Sequence, residues 1–201
     1  MTGGAPSETI KAKRQLRRRM LAERDAFASE RDASAFARLA ADAFPFDAER
    51  PPRVVSGFHR MGAEIDPSPL MARFAAAGAR LCLPVVVERG APLVFRALVG
   101  EAQLVPDAAG ILAPPPTAAV LVPDLVLAPL LAFDADGWRL GYGGGFYDRT
   151  LAALRARQTV VAVGLGFSIQ EVNEAPHGPG DERLDAIITE KGYRRFRHED
   201  L

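Results

Sequence analysis

Between Arg139 and Arg149 the chain reads RLGYGGGFYDR, which places Gly141, Gly143, Gly144 and Gly145 within five residues and flanks them with arginines. Glycine removes side chains so that backbone amides approach a ligand closely, and the arginines point to an anionic ligand. Neither common nucleotide loop is present. No Lys-Ser or Lys-Thr follows the glycines as in a Walker A loop, and Phe146 stands where a dinucleotide fingerprint has its last small residue. What remains is the run DLVLAPLLAF, a turn DADGW, and a glycine-rich loop entering a helix. In that order loop amides and a helix N-terminus converge on phosphate. The alternative is a bare hinge, which needs no Arg139, Asp148 and Arg149 beside it.

Other candidates each carry two readings. Asp148, at the mouth of the loop, suits a magnesium ligand working beside phosphate oxygens, and equally a first-turn carboxylate complementing a helix dipole. Asp181, Glu182 and Asp185 in GPGDERLD offer a second metal ligand or a solvated loop. Lys13 and Arg17 share a helix face and reach one polyphosphate, unless that face is simply solvated or is a nucleic-acid tail. His59 and Glu64, in GFHRMGAEIDPSP, fall between a strand end and a helix start, where open α/β sheets bind ligands. Their alternatives are a hydrogen-bonded structural histidine and a helix-entry carboxylate beside Asp66. No His/Cys spacing makes a zinc site.

The elements that must position these residues alternate. Helix formers run from Glu8 to about Ala26, with Ile10, Leu16, Met20 and Leu21 as the apolar positions. A second helix is expected from a capping-box arrangement of Ser29 and Asp32, with Phe36, Leu39, Ala40, Ala43 and Phe44 on one face and an end before Pro45. Strands are expected in RVVSGF, RLCLPVVV, LVFRALV, DLVLAP, TVVAVGLGF and DAIIT. Helices follow in DPSPLMARFAAAG, with Asp66 capping, Pro67 at the first helical position and Gly78 closing, and in FYDRTLAALRAR. GILAPPPTAA and EAPHGPGDE read as surface loops. The fold class is α/β: a three-layer α/β/α sandwich with a mostly parallel central sheet and the N-terminal helices packed on it.

Composition narrows the function. With 48% hydrophobic and 25% charged residues, residues 1–201 form one globular domain with a flexible start over 1–7. Twenty-five basic residues balance twenty-five acidic ones, so no global field holds nucleic acid and any anion is bound locally. Cys82, alone in a buried-strand pattern, reads as a core thiol in a reducing compartment. No apolar run approaches a membrane span of roughly 20 residues and no secretory signal opens the chain, so a cytoplasmic monomer without membrane or nucleic-acid partners is expected. Two rivals share these features: an isomerase or acyl-CoA enzyme on a similar fold, and an RNA-binding accessory protein working through KAKRQLRRR.

KRQLR at Lys13 to Arg17, GAEIDPSPL at Gly62 to Leu70, DLVLAPLLAFDADGWRLGYGGGFYDRTL at Asp124 to Leu151, GLGFSIQ at Gly164 to Gln170 and DERLDAIITE at Asp181 to Glu190 resemble the 5-formyltetrahydrofolate cyclo-ligase family. The resemblance spans nearly the whole chain, and its most specific part is FD, then G, then RLGYGGGFYDR. It implies conversion of 5-formyltetrahydrofolate to 5,10-methenyltetrahydrofolate with consumption of magnesium-ATP. By resemblance, Lys13, Arg14, Gln15, Leu16 and Arg17 contact ATP, together with Arg139, Leu140, Gly141, Tyr142, Gly143, Gly144, Gly145, Phe146 and Tyr147. Tyr142 to Phe146 also border the folate, which His59 and Glu64 face. Asp148 and Asp181 hold magnesium, and Tyr147 and Arg149 form the catalytic pair. The chain departs from the family at GILAPPP, where Ala113 replaces a usual glutamate.

Overall fold

A computed structural model describes residues 6–45, 51–98 and 104–197. Of the segment expected to be flexible, residues 1–5 lie outside the described residues, and Pro6 opens the first helix. Four α-helices span Pro6–Ser29 (α1), Ala33–Ala43 (α2), Ser68–Ala76 (α3) and Phe146–Arg155 (α4). The strands are Val54–Ser56 (β1), Arg80–Val85 (β2), Val94–Ala97 (β3), Val105–Pro106 (β4), Leu112–Ala113 (β5), Val120–Leu121 (β6), Leu125–Pro129 (β7), Ala132–Phe133 (β8), Arg139–Leu140 (β9), Val161–Leu165 (β10), Ala186–Thr189 (β11) and Gly192–Arg195 (β12).

The main sheet has the order β12-β11-β10-β7-β1-β2-β3-β6. Its centre, β11 to β2, is parallel, while β12 on one edge and β3 on the other run against it, and β6 pairs antiparallel with β3. LVFRALV therefore departs from a parallel reading of the alternating pattern. The link between β2 and β3 is a short turn that cannot carry a crossover helix, so the chain folds straight back.

Alternation along β7 shows why both faces are covered. Leu125 and Leu127 point into a cluster with Ala37, Ala40 and Ala41 of α2 and Leu70, Met71 and Phe74 of α3. Val126 and Ala128 point the other way, toward Leu151 of α4. Each fully buried leucine of this kind contributes about 1.5–3 kcal/mol, so the three-layer sandwich follows from a central strand apolar on both sides.

Several local expectations are corrected. Ser29 ends α1, its hydroxyl donating to the Ala26 carbonyl, and Asp32 alone caps α2 by accepting from the Ser34 and Ala35 amides. Leu39 is 52% exposed because the α2 face that meets the sheet is built from alanines, and Ile10 is 60% exposed. Pro67 is the N-cap of α3 rather than its first helical residue, and Asp66 accepts from the Ser68 amide. Most consequential is the seat of α1. Met20, with Leu16 and Leu21 beside it, packs on Leu131, Ala132 and Leu140 of the β8–β9 hairpin, and only the far end of the helix reaches the sheet core through Phe27. The helix thus lies beyond the carboxyl ends of the parallel strands.

Candidate active site

β7 leaves the sheet at Pro129 and enters the β8–β9 hairpin, whose turn is organised by the buried Asp134. Its Oδ1 accepts from the Asp136 and Trp138 amides, and its Oδ2 accepts from the Ala175 amide at 2.9 Å. Gly137 closes the turn at φ 83, where a Cβ would stand 2.8 Å from the Leu184 carbonyl oxygen. This explains the FD and following G physically: one carboxylate fixes the hairpin and the start of the 175–184 loop together.

After Leu140 the glycine loop runs into α4, whose N-cap Gly145 adopts φ 64, and Gly143 lies at φ 102. Among the described residues, the amides of Gly143 to Asp148 donate to no protein acceptor. Loop amides and the free first turn of α4 therefore form an anion cradle. The loop is held from three sides. Arg17 Nε donates to the Gly141 carbonyl at 2.8 Å, Arg149 Nη2 donates to the Gly144 carbonyl at 2.6 Å, and the Tyr142 hydroxyl donates to Glu64 Oε1 at 2.7 Å.

These groups share one cavity of about 480 Å³, within the range of small-molecule sites. Lys13, Arg17, His59, Glu64, Asp148, Asp181 and every residue from Arg139 to Tyr147 line it. Arg14 and Gln15 are exposed, and Leu16 packs on the hairpin cluster, so these three do not line the cavity. Arg149 sits behind the loop with its guanidinium 5.4 Å from the Phe146 ring centroid, where it braces the cradle. Phe58, Met61, Val86, Leu93 and Ile111 add apolar lining to the same cavity. Ile111 and Asp107 come from the β4–β5 hairpin, while Ala113 is buried in its strand and contributes no lining atom.

The charges are arranged in pairs. Arg139, deeply buried, donates to Asp148 Oδ1 at 2.7 Å and to the Glu182 carbonyl. Burial lowers its pKa, and Asp148 opposes that by attraction. Lys13 pairs with Asp181 Oδ2, which also accepts from the Gly178 amide at 2.7 Å. Burial raises the Glu64 carboxyl above its ordinary range, against the pull of the Met61 amide, the Tyr142 hydroxyl, Arg24 and Arg60. Burial likewise pushes the Tyr142 phenol up to about 12 and raises Tyr147, so both stay protonated as donors at neutral pH. No group of three or more potential ligands gathers among the described residues. Asp148 and Asp181 each keep one oxygen outside these contacts, which matches a magnesium ion that takes one or two carboxylates and completes its shell with phosphate and water.

Sequence reading missed two supports. Arg24 continues the Lys13–Arg17–Met20 helical spacing and reaches Tyr142, a signal that extending the periodicity would have found. Trp138 stacks on His177 at 3.9 Å and takes Arg183 at 4.4 Å over its ring, which holds the loop bearing Asp181 from outside. Nothing local in the sequence announces that stack.

The sequence model of the 5-formyltetrahydrofolate cyclo-ligase family matches residues 9–190. The chain belongs to this family. The Escherichia coli (strain K12) 5-formyltetrahydrofolate cyclo-ligase is 35% identical over 140 residues, covering 67% of this chain and 76% of that one. The Mycolicibacterium smegmatis cyclo-ligase is 32% identical over 146 residues, covering 69% and 74%. Among solved structures, the 5,10-methenyltetrahydrofolate synthetase of Aquifex aeolicus superposes with a TM-score of 0.75 at 26% identity, over 94% of this chain and 95% of that one. In this chain the cavity joins the glycine loop to Lys13 and Arg17. No helix of the described residues is long and apolar enough to cross a membrane.

Proposed function

We propose that the protein closes the ring of 5-formyltetrahydrofolate to 5,10-methenyltetrahydrofolate, with ATP converted to ADP and phosphate. The observation that carries this reading is the single cavity in which an unpaired amide cradle, Lys13 and Arg17 meet Glu64, His59 and an apolar wall. A triphosphate and a flat, partly apolar heterocycle must share one site in this reaction, and the cavity offers complementary walls for both.

The chemistry needs activation because a formamide oxygen is a poor leaving group. The formyl oxygen attacks the γ-phosphorus of ATP, and the bond to the ADP oxygen breaks with its electron pair. The neighbouring folate nitrogen then attacks the formyl carbon and loses its proton. The C–O bond breaks, phosphate leaves with those electrons, and the methenyl cation remains. Catalysis here is positioning and charge neutralisation.

In this reading the Gly143 to Asp148 amides, Lys13 and Arg17 bind the phosphates, and Arg14, Gln15 and Leu16 set the helix around them. Arg139 orients Asp148. Glu64 and His59 orient the folate, whose ring meets Tyr142 to Phe146. Tyr147 donates through its un-ionised hydroxyl, and Arg149 fixes the loop. Asp148 and Asp181 would hold magnesium, which when bound would neutralise phosphate charge. The protein works as a cytoplasmic monomer on small molecules alone. The rival phosphate-ester and acyl-CoA readings need no ATP turnover, and an RNA-binding role leaves Lys13 and Arg17 facing solvent rather than a cavity. The test is ADP release measured with and without 5-formyltetrahydrofolate: strict dependence on the folate supports the ligase, and equal rates with and without it refute it.

A further inference from the structure

Arg24 lies seven residues, about two helical turns, past Arg17 on α1, and is 3% exposed. Its Nη1 donates to the Tyr142 hydroxyl at 2.7 Å, and that hydroxyl donates to Glu64 Oε1 at 2.7 Å. Glu64 Oε2 accepts from the Met61 amide at 2.8 Å, which ties the chain of bonds to the loop after β1. Arg24 Nη2 and Nε donate to Asp25 Oδ1 at 3.2 and 3.4 Å. Arg24 itself does not line the cavity, whereas Tyr142 and Glu64 both do.

A phenol has one proton, and guanidinium donates but never accepts. With Arg24 occupying an acceptor site of the Tyr142 oxygen, the phenolic proton is committed to Glu64. We infer that Arg24 is a positioning residue for the folate half of the site: it fixes the direction of the Tyr142 hydroxyl and through it the Glu64 carboxyl group. This deepens the proposed function and rests on it. Space filling alone does not account for a cation here, since an apolar chain of similar length fills the same volume without desolvating a charge.

The test compares Arg24→Met, Arg24→Lys, Tyr142→Phe and the Arg24→Met/Tyr142→Phe double variant, each with a thermal melt. Initial rates are measured against 5-formyltetrahydrofolate and against ATP. Arg24→Met is expected to raise KM for the folate by about tenfold or more, the loss of a charge-assisted bond, with KM for ATP moved less than about twofold. Arg24→Lys recovers part of the folate affinity. The double variant loses no more folate affinity than Tyr142→Phe alone, to within about twofold, because the two residues act in series.

Equal rises in both KM values, or losses that multiply in the double variant, overturn the inference. If Arg24→Met melts below the assay temperature, Arg24→Lys and Tyr142→Phe decide the matter: a folate-selective rise in both upholds it, and a rise confined to Tyr142→Phe overturns it. A wild-type chain that makes no methenyl product refutes the ligase reading instead. In that event calorimetric binding of 5-formyltetrahydrofolate decides the inference. Weaker binding by Arg24→Lys than by wild type upholds it, and equal binding overturns it.

Discussion

Arg139 Nη2 donates to Asp148 Oδ1 at 2.7 Å, with the arginine side chain 3% exposed and the carboxylate 24% exposed. The first residue of the glycine motif is thus a buried cation whose charge is balanced by the motif's own candidate metal ligand. Asp148 therefore supports folding, whatever it adds as a metal ligand. Asp148→Ala leaves Arg139 uncompensated and is expected to cost about 3 kcal/mol, a fall of roughly 6–12 °C in Tm. Asp148→Asn keeps an acceptor but removes the charge, so below both melting transitions it should show a raised magnesium requirement. An unchanged magnesium dependence in that folded variant rules out ligation by Asp148.

Arg17 holds the loop through the Gly141 carbonyl and, in the proposed function, also binds the phosphates. A Cβ on Gly143 would lie 3.2 Å from the Arg17 Cζ, so the guanidinium packs flat against the glycine backbone. Arg17→Ala is expected to raise KM for ATP about tenfold or more, from loss of a charge-assisted bond. If ATP dependence is unchanged while salt-sensitive RNA binding drops, the accessory-protein reading gains instead.

The glycines differ in what they tolerate. Gly145 has φ 64 and a Cβ there would stand 2.6 Å from Arg149 Nη1, so Gly145→Ala strains the backbone and displaces the brace. At Gly144 a Cβ would meet the Phe146 ring at 2.7 Å, so Gly144→Val drives an aromatic wall of the cavity out of place. Gly144→Val should melt close to the parent and lose ATP-dependent turnover. Full turnover in that variant contradicts a cradle and favours a hinge.

Glu64 sets function against stability. Its carboxyl titrates above the ordinary value of 4.5 because of burial, so the folded state binds the proton more tightly than the unfolded chain. The ionised group weighs against folding as pH rises through the raised pKa, and the penalty is absent below the ordinary value. Glu64→Gln should therefore gain in Tm relative to wild type as pH rises above the ordinary value of 4.5, levelling off once the raised pKa is passed, while folate binding falls. A Tm difference that shrinks or stays flat over that span refutes the linkage.

The sandwich was legible because β7 and β10 are apolar on both faces, a pattern that only helices on both sides can satisfy. The cradle was legible because four glycines, their arginines and Asp148 are contiguous. The antiparallel edges were not, since an apolar run such as LVFRALV carries no direction, and only the brevity of its turn decides it. Arg149 and Arg24 illustrate the limit within the site. A local motif gives proximity along the chain, but which face of α4 or α1 meets the cavity depends on packing, and that puts Arg149 behind the loop and brings Arg24 to Tyr142.

The most direct measurement mixes the protein with magnesium-ATP and 5-formyltetrahydrofolate and follows methenyl absorbance in the near ultraviolet alongside ADP. The account predicts that absorbance grows with one ADP per methenyl group formed and stops when ATP or magnesium is withheld. A folded preparation that produces no methenyl absorbance, or produces it without consuming ATP, contradicts it.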